Sequence, residues 1–554
     1  MAIQKIIEAL SVRDFFIFLV LIFATYVFIF YYKYLTRPNP LPGPLPLPFI
    51  GNLHNIAFCD MKLFYKKCRL EYGNICEIMI DGDRCIILSR PEYIEKVMTS
   101  KHLMRFPYLQ GLDELGMYGR GIASNNDYKS WRYNRQFFTQ ALLVPSFMDT
   151  AVNSTNQLFE ELSKYLQSLG NQNASNNDNG DNWTLETDFS AWFHAFTNDI
   201  ISIIATGERT YSIASYYNTQ STIKSEYPDE LVEGGSKFVK ALIKYVEGLL
   251  LFMLVGPFLR HYIPIIRNKA DSYLKNRDYI HEKLDFMIKK RKKEIEEMSV
   301  GAEMRTDMLT SLIIANTEKD AFNVKTVGGE TFEPMTDEEI RSNLLEAFFG
   351  GTDSTANTFC YITYYLCKYP NVKQKMISEI DTVFKSLNKS YLSSDDLSKL
   401  KYCEAIIKET SRMMPVLTFL TRYINEEYQV AGYKWGAGTI FHLNIVGVHS
   451  HPEVWPNPEI FNPDRFYDVD DKRSENKGSL IIFGGGQRMR PGRKLAMCEL
   501  LLLMASIFRY FNVELVNINE PLKIVTSTNN NVEELKIFIC SQHVYFLRVN
   551  TAPI

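Results

Sequence analysis

The chain has 554 residues, of which 46% are hydrophobic, 23% charged and 13% aromatic, with a formal net charge of −3. Such a composition excludes a disordered or low-complexity protein and allows a large core, while the near-neutral charge excludes a global field that gathers nucleic acid. Nine cysteines, scattered and without a C-x-x-C pair, argue against a disulfide framework or a zinc site and suit a reducing compartment.

From the N-terminus, residues 15–32 are apolar except for Thr25. A helix of that length spans about 27 Å, close to the hydrocarbon thickness of a bilayer. A cleaved signal peptide would have a shorter apolar region and small residues at a cleavage site. This one runs instead into Tyr31-Tyr32-Lys33-Tyr34, so a retained anchor is predicted. Lys33, Arg37, Lys62, Lys66, Lys67 and Arg69 follow the span, and a basic excess on that side places the body in the cytosol. The N-x-S/T tripeptides beginning at Asn153, Asn173, Asn182 and Asn388 would then never be glycosylated. Six prolines fall within residues 38–48; proline cannot continue a helix, so this stretch reads as a stiff, extended spacer. The expected organisation is a membrane anchor over 1–36, a proline-rich hinge over 37–51 and one body over 52–554.

Within the body, strand-like runs at 75–80 and 85–88 flank a turn at Gly82. Helical spacing over 158–169 stops at an Asn/Gly/Asp-rich insert, 170–182. A helical pattern from Lys237 to Leu254 breaks at Gly256-Pro257, too short to span a bilayer; its apolar run is either core or interfacial. Lys289-Lys290-Arg291-Lys292-Lys293 reads as the wet face of a long helix. Residues 337–369 form a strong helical pattern interrupted by Gly350-Gly351, where each glycine costs about 1 kcal/mol relative to alanine. Close approach of a ligand to the backbone is one explanation, a kink without ligand the other. Thr352, Asp353, Ser354 and Thr355 follow, hydroxyls and a carboxylate able to relay protons where the helix opens. A shorter helix, 402–414, ends before Pro415, and further strand-like runs lie at 428–431, 524–527 and 537–547. The fold class is mainly α with small β-sheets.

The polar constellations are individually weak. Glu409 and Arg412 stand three apart on one helix face, and Arg465 in Pro463-Asp464-Arg465-Phe466 offers a second guanidinium that could pin an irregular stretch to that helix. Trp131 and Arg135 share a face four residues apart; with Arg422 and Arg488 they could supply several donors to one buried dianion. Residues 483–492 read Phe483-Gly484-Gly485-Gly486-Gln487-Arg488-Met489-Arg490-Pro491-Gly492.

In this order and spacing, W-x-x-x-R, G-G-x-D-S/T, E-x-x-R, P-x-R-F and F-x-x-G-x-R resemble the cytochrome P-450 superfamily in its membrane-bound eukaryotic form. The resemblance covers nearly the whole chain after residue 40. It implies the P-450 fold behind an N-terminal transmembrane helix, with haem b between the Gly350 helix and the Phe483 loop. Trp131, Arg135, Arg422, Phe483, Gly486, Arg488 and Gly492 become cofactor-binding residues, and Glu409, Arg412 and Arg465 a structural triad. Gly351, Asp353, Ser354 and Thr355 become the oxygen-activation segment, with Ser354 where threonine is more usual. The implied setting is the endoplasmic reticulum membrane, with NADPH acting through a reductase, cytochrome b5 as a further electron donor, a lipophilic substrate and no nucleic acid.

One position departs from the pattern. The family's iron-ligating cysteine is replaced by Arg490, which stays protonated and has no acceptor lone pair, so it is expected to turn aside from iron. Cys498, eight positions on, reads as a core thiol, and the sequence between His451 and His543 contains no histidine. Three readings stay open: insertion of one oxygen atom into a lipophilic molecule; a haem protein without that activity, serving sensing, carriage or rearrangement; or a catalytically dead member, or a sequence whose cysteine was lost by mutation or error. Arg488, Arg490, Arg493 and Lys494 together predict a basic surface for an acidic redox partner.

Overall fold

The computed structural model describes residues 12–541 apart from 58–59, 81, 101–103, 105–109, 118, 144, 174–182, 300–303, 316, 319–325, 328–329, 332, 388–390, 468–478 and 527–529. The acceptors Asn182 and Asn388, most of the insert 170–182 and the end of the strand-like run 537–547 lie outside the described residues.

Helix α1 (Val12–Leu35) carries the apolar stretch Phe15–Leu35, none of which is buried against the body. Among the described residues it alone is long and apolar enough to cross a membrane. The proline-rich stretch behind it is non-helical, yet it is no free spacer. A Cβ on Gly43 would overlap the Glu77 carbonyl oxygen, Asn52 Nδ2 donates to Pro44 O at 3.1 Å, and Arg37 pairs with Glu77. Backbone-to-backbone packing clamps the hinge onto the first sheet.

That sheet joins β1 (Ile75–Ile80), β2 (Asp83–Leu88), β4 (Phe419–Tyr423) and β5 (Ile440–Asn444) in the order β1-β2-β5-β4. Only the β2–β5 pair is parallel, and β5 is buried along its whole length, as a central strand covered on both faces must be. A second sheet brings β3 (Thr184–Asp188), β6 (Phe511–Leu515) and β7 (Lys536–Ser541) together, with β7 central.

The helices form the bulk. Those that build the site are α2 (Tyr128–Leu143), α3 (Pro145–Asn173), α4 (Phe189–Thr206), α5 (Asp229–Leu254), α6 (Pro264–Glu297), α7 (Asp337–Lys368), α8 (Lys401–Met413) and α9 (Arg493–Tyr510). α3 continues four residues past the end predicted at Leu169, because Leu166 and Leu169 still bury against the core and Gly170 abuts the Trp183 ring. α7 starts at a capping box: Thr336 Oγ1 accepts from Glu339 N, and Glu339 Oε2 accepts from Thr336 N at 2.9 Å. Reciprocal caps satisfy two of the first-turn donors. The core sets α7 against α4, where Phe193 and Phe359 meet edge to face at 4.3 Å. The basic run 289–293 is solvated except for Arg291, which is buried on Asp307, Thr310 and the Thr206 carbonyl.

Candidate functional site

The α7 helix runs unbroken through Gly350 and Gly351, so the expected opening there is absent. The two glycines have different reasons. A Cβ on Gly351 would stand 2.5 Å from Ile201 Cδ1 of α4, so its absence lets the two helices approach. A Cβ on Gly350 would meet only Arg490 Nη2, at 3.6 Å. Gly350 therefore faces a space, and Arg490 reaches into it.

That space is a cavity of about 290 Å³ between α7, α2, β4 and the glycine loop. Phe138, Leu142, Ile204, Phe349, Leu420 and Ile481 make it apolar. Trp131, Arg135, Arg422, Phe483, Arg488 and Gly492 line it, as do Gly351, Ser354 and Thr355. Asp353 does not line it: it is buried near His194 of α4, where desolvation pushes its carboxyl up and His194 partly offsets this. Ser354 Oγ donates back to Gly350 O at 3.1 Å. Gly486 is also away from the lining; its φ of +62° makes the turn, and a Cβ would overlap the Met98 carbonyl.

The arginines are held by backbone and ring contacts. Arg135 Nη2 donates to Met489 O, Arg422 Nη1 to Thr421 O at 2.8 Å, and the Arg488 guanidinium lies 4.1 Å over the Trp131 ring. The Trp131 indole N–H donates to Ile122 O at 3.1 Å. Arg490 N donates to Phe483 O at 2.9 Å, closing the loop on itself. Its side chain does not turn aside as expected, because the gap left by Gly350 admits it. The expected basic outer surface thus loses two of its four cations to the interior, Arg488 and Arg490, and keeps the exposed Arg493 and Lys494.

Three residues that the sequence patterns did not single out complete the site. Glu346 of α7 is buried and accepts from Ile122 N at 2.6 Å, Ala123 N at 2.7 Å, Ser124 N at 3.1 Å and Ser124 Oγ at 3.0 Å. Burial pushes its carboxyl up and those bonds oppose the shift. Glu499 of α9 is buried in the cavity wall; desolvation pushes it up to about 8, with Arg490 pulling the other way. His449 is pushed down to about 3 by burial, and its neutral Nε2 accepts from Ile481 N at 2.8 Å. Glu346 sits one turn before Gly350, a spacing that could have flagged it; the others carry no local signal.

The Glu409 cluster is saturated. Arg412 donates twice to the Glu409 carboxylate at 2.8 Å, Arg465 Nε stands 3.3 Å from Oε1, and Asn462 N donates to the same oxygen at 2.9 Å. Arg412 Nη1 donates to His449 O at 2.8 Å. Through His449 the cluster supports Ile481, where the chain enters the cavity.

Fit to a haem divides between its edge and its centre. Three buried or half-buried arginines from separate elements converge on one apolar space, a donor set suited to two propionates. At the position that the resemblance gives to the iron ligand stands Arg490, whose guanidinium has no lone pair for a metal. Cys498 is buried with its thiol pushed up to about 12 by desolvation, so it is inert core. Among the described residues no cluster of His, Cys, Asp or Glu could hold a metal.

A family model described as Cytochrome P450 matches residues 41–540. (+)-Vincadifformine 19-hydroxylase of Catharanthus roseus is 28% identical over 478 residues, covering 84% of this chain and 85% of that protein. Cytochrome P450 4d8 of Drosophila melanogaster is 26% identical, covering 80% and 89%. The solved structure of retinoic acid bound cyanobacterial CYP120A1 superposes with a TM-score of 0.70 at 18% identity, covering 91% of this chain and 100% of that one; at that identity it speaks for the fold.

Proposed function

The chain belongs to the cytochrome P450 family, a family of haem monooxygenases, and from that premise we propose a membrane-anchored haem protein whose parent reaction inserts one oxygen atom into a lipophilic small molecule. The observation that carries the reading is the convergence of Arg135, Arg422 and Arg488 on an apolar cavity walled by Gly350, Gly351, Ser354 and Thr355. In this reading the three arginines, with Trp131 stacked under Arg488, hold the propionates and fix the plane of the group. The apolar wall excludes water and takes the substrate. Ser354 and Thr355 hold protons at hydroxyls beside the reacting face, and the Glu409 cluster keeps the loop in place. The domain limits 37–51 and 52–554 follow, with Phe15–Leu35 as an anchor in the endoplasmic reticulum membrane and the body in the cytosol. Electrons come from an NADPH-dependent reductase, with cytochrome b5 as a second donor, docking against the exposed Arg493 and Lys494.

A bound haem supplies oxygen activation when a thiolate stands on its proximal side. Arg490 supplies no such ligand, so the roles of this chain's residues end at binding, orientation and proton holding. The whole-length family match favours an oxygenase scaffold over a carrier. The test is haem titration of the full chain beside Arg135→Leu and Arg488→Leu. One haem per chain, with each variant losing tenfold or more in affinity, is expected; equal retention in all three would remove the propionate assignment.

A further inference from the structure

Helices α5 and α6 form a hairpin whose connection presents an apolar tip. Phe258 is 66% exposed, Tyr262 71% and Ile265 84%, and Ile263 is exposed beside them. Large apolar side chains left this bare on consecutive turns mark an interaction surface. Behind the tip, on the outer side of the hairpin, lies an open groove of about 620 Å³. Lys237, Lys240 and Lys244 line it from α5, and Lys275 faces them from α6 with Asn268 and Ser272 nearby.

The groove is built to hold cations without neutralising them. Lys244 Nζ donates to Ser272 Oγ at 2.6 Å, and Lys237 Nζ lies 4.7 Å from the centre of the Tyr279 ring. Asn276 Nδ2 donates to Ala241 O at 2.8 Å, tying the two helices across the groove. Its one acidic lining residue, Asp271, faces Arg267 at 3.8 Å. Among the described residues none of the four lysines forms an ion pair with a carboxylate.

The spacing relates groove to tip. Lys244 stands ten residues before the end of α5, and Lys275 eleven past the start of α6, so each lies about 15 Å along its helix from the tip. An apolar element sunk into an interface goes about 5–10 Å below the headgroup boundary. With the hairpin standing along the membrane normal, that leaves Lys244 and Lys275 at the height of the headgroups, and Lys237 and Lys240 further out. We propose that this groove is a binding site for the phosphorylated headgroup of an anionic phospholipid, engaged when the tip enters the membrane that α1 anchors. The proposal rests on the anchored reading above. It commits to lipid because the groove continues from an apolar tip; a free phosphate ester would share only the lysines.

The experiment uses the full chain in nanodiscs of phosphatidylcholine, alone or with phosphatidylinositol phosphate. The readout is the acylation rate of Lys237, Lys240, Lys244 and Lys275 by mass spectrometry, with free inositol phosphate added to neutral discs as the soluble arm. Slower labelling in anionic discs, suppressed by salt, is expected. A lysine at an anionic surface contributes about a fivefold gain, so K244Q/K275Q should weaken the effect about tenfold or more, while K244R/K275R keeps it. Equal labelling in both discs, protection by free inositol phosphate only, or protection unchanged in K244Q/K275Q would each overturn the proposal. A thermal scan of the glutamine variant separates lost binding from lost fold. Extraction of the chain from membranes by alkaline carbonate would overturn the anchor reading instead, leaving the soluble arm to report on the groove.

Discussion

The Glu409 cluster and the cavity rim both bury guanidinium groups, yet they are arranged to opposite ends. Around Glu409, two arginines and the Asn462 amide share one carboxylate, and Arg412 reaches on to a backbone carbonyl. Around the cavity, four arginines line a space with two glutamates, and one of those, Glu346, is committed to the loop 122–124. Buried charge is tolerated when it is matched. A cluster whose guanidiniums close on one carboxylate and on backbone carbonyls holds the fold together; guanidiniums that line an open cavity are placed to receive an anion. One of those four cavity arginines, Arg490, reaches to within 3.6 Å of where a Gly350 Cβ would stand.

The largest effect should come from breaking the matched cluster. Arg412→Leu leaves the buried Glu409 with one weaker arginine, and removing one partner of a buried pair costs about 3–5 kcal/mol. That is a large share of a typical net stability, and a denaturant midpoint measures it. Arg422→Leu, in the cavity wall, should move the midpoint far less and lower haem retention instead. Equal loss of stability in both would erase the distinction.

Glu499 sharpens the comparison through pH. Its carboxyl is pushed up to about 8 from an ordinary 4.5, so between those values the folded chain holds a proton that the unfolded chain has released. Stability therefore falls as pH rises through this window, by at most about 1.4 kcal/mol per unit. Glu499→Gln should flatten that slope. Arg490→Cys removes the cation that pulls Glu499 down and should extend the slope to higher pH.

The glycine pair repeats the contrast at one residue's resolution. Gly351→Ala overpacks Ile201 and should cost about 1–3 kcal/mol, recovered in part by Ile201→Ala. Gly350→Ala, whose Cβ would touch only Arg490 Nη2, should be near neutral for thermal stability. Smallest is the exposed surface. Arg493→Glu with Lys494→Glu should leave folding unchanged and weaken reductase binding, in a salt-dependent way, by a few-fold.

Much of this was legible in the sequence because the motifs are carried by residue types with few substitutes. Glu409, Arg412 and Arg465 are weak signals singly and gain meaning from their order with the other motifs, and α7 announces itself through the helical pattern over 337–369. The direction of a side chain is different. Nothing in Arg488-Met489-Arg490 says that both arginines face inward; that follows from Trp131 offering a ring and Gly350 leaving a gap. Asp353 reads as part of a relay but is buried towards His194 of α4 and does not line the cavity, a packing outcome that no local spacing announces. Glu499 escapes a sequence reading because its meaning lies in what the tertiary fold brings against it, whereas Glu346 carries only the hint of standing one turn before Gly350.

The most direct test of the central claim is the ferrous–CO spectrum of the haem-loaded full chain, recorded beside that of Arg490→Cys. The native protein is expected to bind haem yet lack the red-shifted Soret band of a thiolate ligand, and the variant to gain it. A thiolate band in the native protein would contradict the claim, since it would mean that a cysteine other than one at position 490 reaches the iron.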